Sequence, residues 1–170
     1  MAQQLAAIPN GSNLLLDTNV VVYGLTSKSA QCKTLLERCS NEELTGVTLF
    51  EILHEATHKF MIAEAEAKGL FTGQPERGAK YLARNPARVK TLSDYWTNTQ
   101  RFLALNLLFL PMEDAIINTA QRERLNAGLL TNDSIIVAAM REYGISLIAT
   151  NDRQFETVTG ISVFSPTDVP

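Results

Sequence analysis

Leu14-Leu15-Leu16-Asp17-Thr18-Asn19 is the stretch that decides the fold. A short apolar run that ends in turn-forming residues is typical of a strand buried in a parallel sheet. Asp17 would then follow the carboxyl end of that strand, at the edge where open α/β sheets bind their ligands. The pattern returns late in the chain, where the predicted strand Ser146–Ala149 is followed by Thr150-Asn151-Asp152. Two strands that each deliver an acid to the same edge predict a carboxylate cluster, which is the ligand type that hard cations take.

The order of apolar runs and amphipathic stretches predicts strands that alternate with helices, and hence βαβ units. We therefore expect a three-layer α/β/α sandwich around a mainly parallel sheet of four to five strands. Residues 1–12 are expected to form a loose leader, and residues 13–170 a single domain. The predicted strands are Leu14–Leu16, Leu44–Val47, Asn106–Leu110, Ser146–Ala149 and Ile161–Phe164.

Two helix starts can be predicted from local signals. Thr48 has a glutamate, Glu51, three residues later, which is the spacing of a capping box for a helix that runs to about Lys68. Asn85-Pro86 predicts the start of a longer helix that extends to about Leu105, because proline is favoured at the first helical position.

Composition indicates an ordinary globular domain without a membrane span. The chain has 170 residues, 45% of them apolar, and a net charge of −3. No apolar run approaches the roughly 20 residues that cross a bilayer. Residues 1–12 carry no Lys or Arg, whereas a signal peptide begins with a positively charged region. We therefore expect a cytoplasmic protein.

Charge is distributed unevenly along the chain. The segment Lys59–Arg101 has eight basic and four acidic residues, a net charge of +4, which leaves −7 on the remainder. A basic segment beside an acidic site is the asymmetry expected if phosphates are held on one side and metals on the other. A solvated helical face is the alternative.

Four acids lie at equivalent points of this architecture, each just past a predicted strand or in the first turn of a helix. Taken singly, these acids could make Asx-turns or cap helices. Together they point to one edge of the sheet, and crowded carboxylates repel one another unless a cation neutralises them. The pattern therefore favours a divalent metal site formed by Asp17, Glu51, Asp133 and Asp152.

These motifs resemble those of the PIN-domain ribonucleases, a family that includes the VapC-type toxins. The resemblance runs from about Asn13 to Pro166. The stretches that carry it are Leu14-Leu15-Leu16-Asp17-Thr18-Asn19-Val20, Thr48-Leu49-Phe50-Glu51-Ile52-Leu53, Asn132-Asp133-Ser134-Ile135-Ile136-Val137-Ala138-Ala139 and Leu147-Ile148-Ala149-Thr150-Asn151-Asp152-Arg153-Gln154-Phe155.

The resemblance implies that the four acids bind Mg²⁺ or Mn²⁺, with Asn19 and Thr150 as supporting polar residues. It also implies hydrolysis of RNA by a metal-activated water, leaving a 5′-phosphate and a 3′-hydroxyl. An antitoxin protein and a homodimer formed through the early helices are the partners that the family suggests. Tyr95 and Trp96 could stack on bases, although we expect Trp96 to pack in the core. The residues expected to hold RNA phosphates are Arg153, Lys80, Arg84 and Arg88.

Two other functions remain open at this point. His54-Glu55-Ala56-Thr57-His58 matches the H-E-x-x-H signature of zinc metallopeptidases. The chain has no third histidine, whereas a catalytic zinc normally takes a third protein ligand. A zinc site there would also leave Asp17, Asp133 and Asp152 unexplained. The second alternative is a non-catalytic PIN-like binding module, and the presence of all four acids counts against it.

Overall fold

Leu14, Leu15 and Leu16 lie in a central strand and are completely buried, as the unbroken apolar run predicts. A strand that is buried on both faces needs helices on both sides of its sheet. The computed structural model, which describes residues 2–169, has this architecture.

The described chain alternates strands with helices. Its six strands are β1 Gln3–Gln4, β2 Asn13–Leu16, β3 Thr45–Thr48, β4 Leu108–Phe109, β5 Leu147–Ala149 and β6 Ser162–Ser165. Its eight α-helices are α1 Thr18–Leu25, α2 Ala30–Ser40, α3 Phe50–Ala67, α4 Gly78–Arg84, α5 Pro86–Val89, α6 Asp94–Leu103, α7 Asp114–Ala127 and α8 Thr131–Glu142. Short 3₁₀ helices cover Leu5–Ala7 and Arg153–Thr157.

All strand pairs in the described sheet are parallel, in the order β1-β6-β5-β2-β3-β4. The chain moves outward from β2 to β3 and β4, and then returns to place β5 on the other side of β2. The strand order therefore reverses between β2 and β5, and such a switch point opens a crevice at the carboxyl edge. The predicted α/β fold with a parallel sheet is confirmed, with six strands instead of four to five.

The sixth strand comes from the segment expected to be a loose leader. Gln3 and Gln4 pair with Phe164 and Ser165 at the edge of the sheet. Leu5 and Ile8 follow and are buried in the main core. Two exposed glutamines carry no strand signal, so only the tertiary pairing with β6 reveals this element.

The helices form two groups, because parallel strands need crossover connections that cover the sheet. Helices α1, α2, α3 and α6 pack against one another, and α7 packs against α8. No helix in the described part of the chain combines the length and apolar character needed to cross a bilayer.

Three local predictions were wrong. Thr48 does not cap α3: it is the last residue of β3, Leu49 is the N-cap residue, and no side chain caps that end. The Thr48 hydroxyl is buried without a hydrogen-bond partner among the described residues. The helix expected from Pro86 to Leu105 is split into α5 and α6. Trp96, expected in the core, is 55% exposed.

Glu64 connects α3 to the start of α6. The Glu64 carboxylate accepts hydrogen bonds from the backbone N–H groups of Ser93 (2.7 Å) and Tyr95 (2.8 Å) and from the Lys68 ammonium. Burial alone would raise the pKa of Glu64, but these hydrogen bonds lower it to about 2. Glu64 therefore satisfies free N–H groups at the start of α6, whose own N-cap residue, Ser93, makes no side-chain capping hydrogen bond.

We expect Glu64→Gln to lower the free energy of unfolding at pH 7 by about 1–3 kcal/mol, because the amide accepts fewer of these hydrogen bonds. A carboxyl whose pKa is lowered by folding stabilises the protein above its ordinary pKa, and that stability is lost as the pH falls towards the folded value. The difference between wild type and variant in urea denaturation should therefore shrink as the pH falls below 4.5. Glu37→Gln, at a side chain that is 60% exposed, is the control and should change the pH 7 value by less than about 0.5 kcal/mol.

Candidate active site

The carboxyl ends of β2 and β5 lie side by side. Leu16 pairs with Ala149, and the Asp17 N–H donates to the Ala149 carbonyl at 3.0 Å. The residues that follow the two strands, Asp17 and Thr150, are therefore neighbours at the switch point.

The Asp17 carboxylate is 7% exposed and is held by three donors. One oxygen accepts from the Thr18 N–H at 2.6 Å. The other accepts from the Asn19 amide and from the Thr150 hydroxyl, each at 2.6 Å. The structure thus brings Asn19 and Thr150, the predicted supporting residues, into direct contact with Asp17.

Asp152 is tied to the same network through the backbone. Its N–H donates to the Thr150 hydroxyl at 3.0 Å, and the Asn19 side-chain oxygen accepts from the Asn151 N–H at 2.8 Å. The Asp152 carboxylate accepts from the Gln154 N–H at 2.8 Å, which is the Asx-turn considered as the alternative to a metal role.

The acid that α3 contributes to this network is Glu55. One Glu55 oxygen accepts from the Thr18 hydroxyl at 3.0 Å, and the other pairs with the Lys59 ammonium at 2.9 Å. Glu55 is also one of the charges that raise the pKa of Asp17 and of Asp133, and Glu51 is not. Glu51 lies one turn earlier, on a separate apolar groove of about 570 Å³ that includes Phe50 and Trp96.

Asp133 joins the group from the first turn of α8. Burial raises the pKa of this half-buried carboxyl, and the negative charges of Asp152 and Glu55 raise it further. Burial likewise raises the pKa of Asp17 to about 6, although hydrogen bonds from Thr150 and Thr18 act in the opposite direction. Four carboxylates from four parts of the chain therefore share one electrostatic environment. We refer to Asp17, Glu55, Asp133 and Asp152 as the acidic site.

The chemistry of the acidic site fits a hard divalent cation. Its donors are all carboxylate oxygens, and their mutual repulsion is what a bound Mg²⁺ or Mn²⁺ would relieve. As the side chains stand, no three His, Cys, Asp or Glu residues in the described chain are arranged as a finished ligand set. Asp17 is held by its three donors, and Glu55 is held by Thr18 and Lys59. Metal binding therefore requires the carboxylates of the acidic site to rearrange, and the Asp17 carboxylate keeps acceptor capacity beside its three present donors.

The basic residues predicted to hold phosphates fall in two places. Arg153 follows Asp152 and lines a polar depression beside β1. Lys80 and Arg88 are exposed on α4 and α5, and Arg84 forms an ion pair with Glu76 at 2.8 Å. These helices surround a second small core of Ala65, Phe71, Tyr81, Leu82 and Leu92.

The H-E-x-x-H motif is not organised as a zinc site in the described residues. Its glutamate, Glu55, belongs to the acidic site through Thr18. His54 is exposed on the apolar groove beside Glu51, and His58 is also exposed. In the sequence, the motif marks Glu55 as part of a zinc-peptidase signature and does not indicate that it belongs to the acidic site.

We expect the stability of the metal-free protein to report the raised pKa of Asp17. A carboxyl whose pKa is raised from 3.8 to about 6 stabilises the fold below its ordinary pKa, and this stability is lost as the pH rises through 6. Asp17→Asn removes that titration. The free energy of unfolding of the variant, relative to wild type, should therefore rise by about 2–3 kcal/mol between pH 4 and pH 7.5. Urea denaturation with chelator present measures this, and a difference that is independent of pH would contradict it.

Comparison with known proteins places this chain in a family. Two solved structures share the fold, at identities that support a likeness of fold alone. One is VapBC2 from Rickettsia felis bound to a DNA fragment from their promoter, with 15% identity, a TM-score of 0.58, and coverage of 90% of this chain and 98% of that chain. The other is a toxin-antitoxin complex from Klebsiella pneumoniae, with 16% identity, a TM-score of 0.56, and coverage of 87% and 94%.

No curated protein matches the sequence. The sequence profile of the PIN domain, however, matches residues 14–161, which include all four carboxylates of the acidic site. Because this match spans most of the chain, the protein belongs to the PIN domain family.

Proposed function

We propose that this protein is a metal-dependent endoribonuclease and that Asp17, Glu55, Asp133 and Asp152 are its metal-binding residues. The observation that carries the proposal is the buried Asp17 carboxylate at the β2/β5 switch point, on which the charge of Glu55 acts, while the charges of Glu55 and Asp152 act on Asp133. Membership of the PIN domain family supports nuclease chemistry, and the all-oxygen donor set supports Mg²⁺ or Mn²⁺.

Glu55 takes the place that sequence analysis predicted for Glu51. Both residues lie on α3, the helix that follows β3, and are four positions apart. From the sequence, either side chain could therefore reach the site. Glu55 contacts Thr18, which adjoins Asp17, and its charge acts on Asp17 and Asp133. Glu51 lies on the apolar groove instead.

The residues of the site have separable tasks in RNA hydrolysis. Asp17, Glu55, Asp133 and Asp152 would hold Mg²⁺ or Mn²⁺, which would supply Lewis acidity and a water of lowered pKa as the nucleophile. Asn19 and Thr150 fix the Asp17 carboxylate so that its oxygens face a defined direction. In the reaction, a water molecule loses a proton as its oxygen bonds to phosphorus, the bond from phosphorus to the 3′-oxygen breaks, and the released 3′-oxygen takes up a proton, so that one water is consumed. The products are a 5′-phosphate and a 3′-hydroxyl.

We further propose a cytoplasmic role as the toxin of a toxin-antitoxin pair. Of the two solved structures named above, the one from Klebsiella pneumoniae is described as a toxin-antitoxin complex, and the one from Rickettsia felis as VapBC2. The two cysteines, Cys32 and Cys39, are buried free thiols, which suits a reducing compartment. A homodimer formed through the early helices is part of the same proposal.

The decisive test is cleavage of single-stranded RNA by purified protein with Mg²⁺ or Mn²⁺. We expect EDTA to abolish cleavage and Asp17→Asn to lower kcat by at least about 100-fold, because the variant weakens the metal site. Glu55→Gln should have a similar effect, whereas Glu51→Gln should retain most of the activity. Near-equal loss with Glu51→Gln and full activity with Glu55→Gln would restore the assignment of Glu51. Absence of metal-dependent cleavage by the wild type would favour a binding module.

The metallopeptidase alternative is tested separately with His54→Ala. His54 is exposed and lines the apolar groove beside Glu51. We expect the variant to keep its RNA cleavage within about twofold of wild type, because a surface histidine contributes little to the fold. Zinc-dependent hydrolysis of casein by the wild type that is lost in His54→Ala would contradict the ribonuclease assignment.

A further inference from the structure

A groove runs between α1 and α3 from the acidic site along the surface of the protein. It has a volume of about 250 Å³ and is lined by side chains from both helices and from the loop after α1. Those that matter here are Asn19, Tyr23, Lys28, Lys59 and Glu66. We call it the α1–α3 groove.

One end of the α1–α3 groove belongs to the acidic site itself. Asn19, which lines the groove, donates to the Asp17 carboxylate at 2.6 Å. Lys59, which also lines it, pairs with Glu55 at 2.9 Å. Both helices begin at the carboxyl edge of the sheet, so the groove leads away from the site. From Lys59 to Glu66 the α3 wall extends for about 10 Å at helical rise.

The charge of the α1–α3 groove suits a polyanion. Lys28 and Lys59 contribute two cations, of which Lys59 pairs with Glu55 of the acidic site, and Glu66 is the one acid among the described lining residues. The Lys28 side chain is exposed and makes no ion pair with the described residues. Its backbone is nevertheless fixed, because the Lys28 N–H donates to the Tyr23 carbonyl at 2.9 Å in a turn that places Ser27 at φ +57°. The Lys28 charge is therefore anchored beside the groove and available to a ligand.

The groove also offers an aromatic surface. Tyr23 is half-buried and lies one turn along α1 from Asn19. Val22, Ile62 and Ala63 provide the apolar wall around it. A positively charged groove that contains an aromatic ring is the combination that binds single-stranded nucleic acid, because phosphates pair with the lysines and bases stack on the ring.

We infer that the α1–α3 groove is the track along which single-stranded RNA reaches the acidic site, with Lys28 and Lys59 on its phosphates and Tyr23 against a base. This inference rests on the proposed ribonuclease function. A duplex suits the groove poorly, because its bases are stacked and paired inside the helix and cannot reach Tyr23. Lys28 lies outside the basic segment Lys59–Arg101, where the distribution of charge along the sequence predicts phosphate binding.

Lys28→Gln is the cleanest test, because Lys59 also holds Glu55. In steady-state cleavage of single-stranded RNA with Mn²⁺, we expect the variant to raise KM by about three- to tenfold at 0.1 M salt and to leave kcat unchanged. The slope of log KM against log salt concentration should fall by about 0.7, the value for one phosphate contact on a single strand. Lys28→Arg, which keeps the charge, should have the wild-type KM and the wild-type salt slope. Lys33→Gln on α2 is the matched control, at an exposed lysine outside the groove.

Binding without cleavage separates this inference from the proposed function. In the Asp17→Asn background, fluorescence anisotropy with labelled single-stranded RNA should show weaker binding on addition of Lys28→Gln or Tyr23→Ala, and Tyr23→Phe should bind like the parent. Unlabelled duplex RNA should compete poorly. If the wild type cleaves RNA but Lys28→Gln changes neither KM nor binding, the groove assignment is overturned and the ribonuclease proposal stands. A loss confined to Lys80→Gln and Arg88→Gln, or equal competition by duplex, would also overturn it. If the wild type binds RNA in the groove but never cleaves it, the ribonuclease proposal fails and the groove assignment stands.

Discussion

The hydrogen-bonded burial of the Asp17 carboxylate is the constraint on which the rest of this structure depends. A carboxylate that is almost removed from water must be satisfied by other groups, and Thr18, Asn19 and Thr150 supply the donors. Thr150 can do so only because β2 and β5 are parallel neighbours in one register. The return of the chain across β2, the turn after β5 and the first turn of α1 are thus all tied to a single side chain.

The same arrangement places a cluster of negative charge beside a lysine. The acidic site concentrates four carboxylates, and burial together with mutual repulsion raises the pKa of Asp17 and Asp133. Lys59 lies at the boundary, where it pairs with Glu55 and lowers the pKa of Asp17 through its charge. A cation and an RNA phosphate are the two ligands that such a boundary would accommodate, one on the acidic side and one along the α1–α3 groove. The lysine therefore links the proposed chemistry to the proposed substrate path.

Where local patterns misled, a tertiary contact had replaced the local one. Thr48 has the spacing of a helix cap, yet it is the last residue of β3. The N-cap position of α3 is Leu49, and no side chain caps that end of the helix. Glu64 shows the reverse, since a residue in the last turn of α3 caps the start of α6 about thirty residues away in sequence. Trp96 has the large apolar side chain of a core residue but is exposed to solvent, because Thr99 and Phe102 form the buried side of α6.

The order of residues was sufficient to indicate a parallel α/β sheet, with Asp17, Asp133 and Asp152 at its carboxyl edge. This was possible because buried parallel strands are continuous apolar runs and their ends are marked by polar residues. It could not distinguish Glu51 from Glu55, since residues four apart on a helix differ by only about 40° in direction. The rotation of α3 brings Glu55 to Thr18 and Glu51 to the apolar groove, and it is set by Ile52, Ala56 and Phe60, which are buried in the core. The pairing of Gln3 and Gln4 with β6 was equally beyond local reasoning, because those side chains are exposed and only the partner strand makes them part of the sheet.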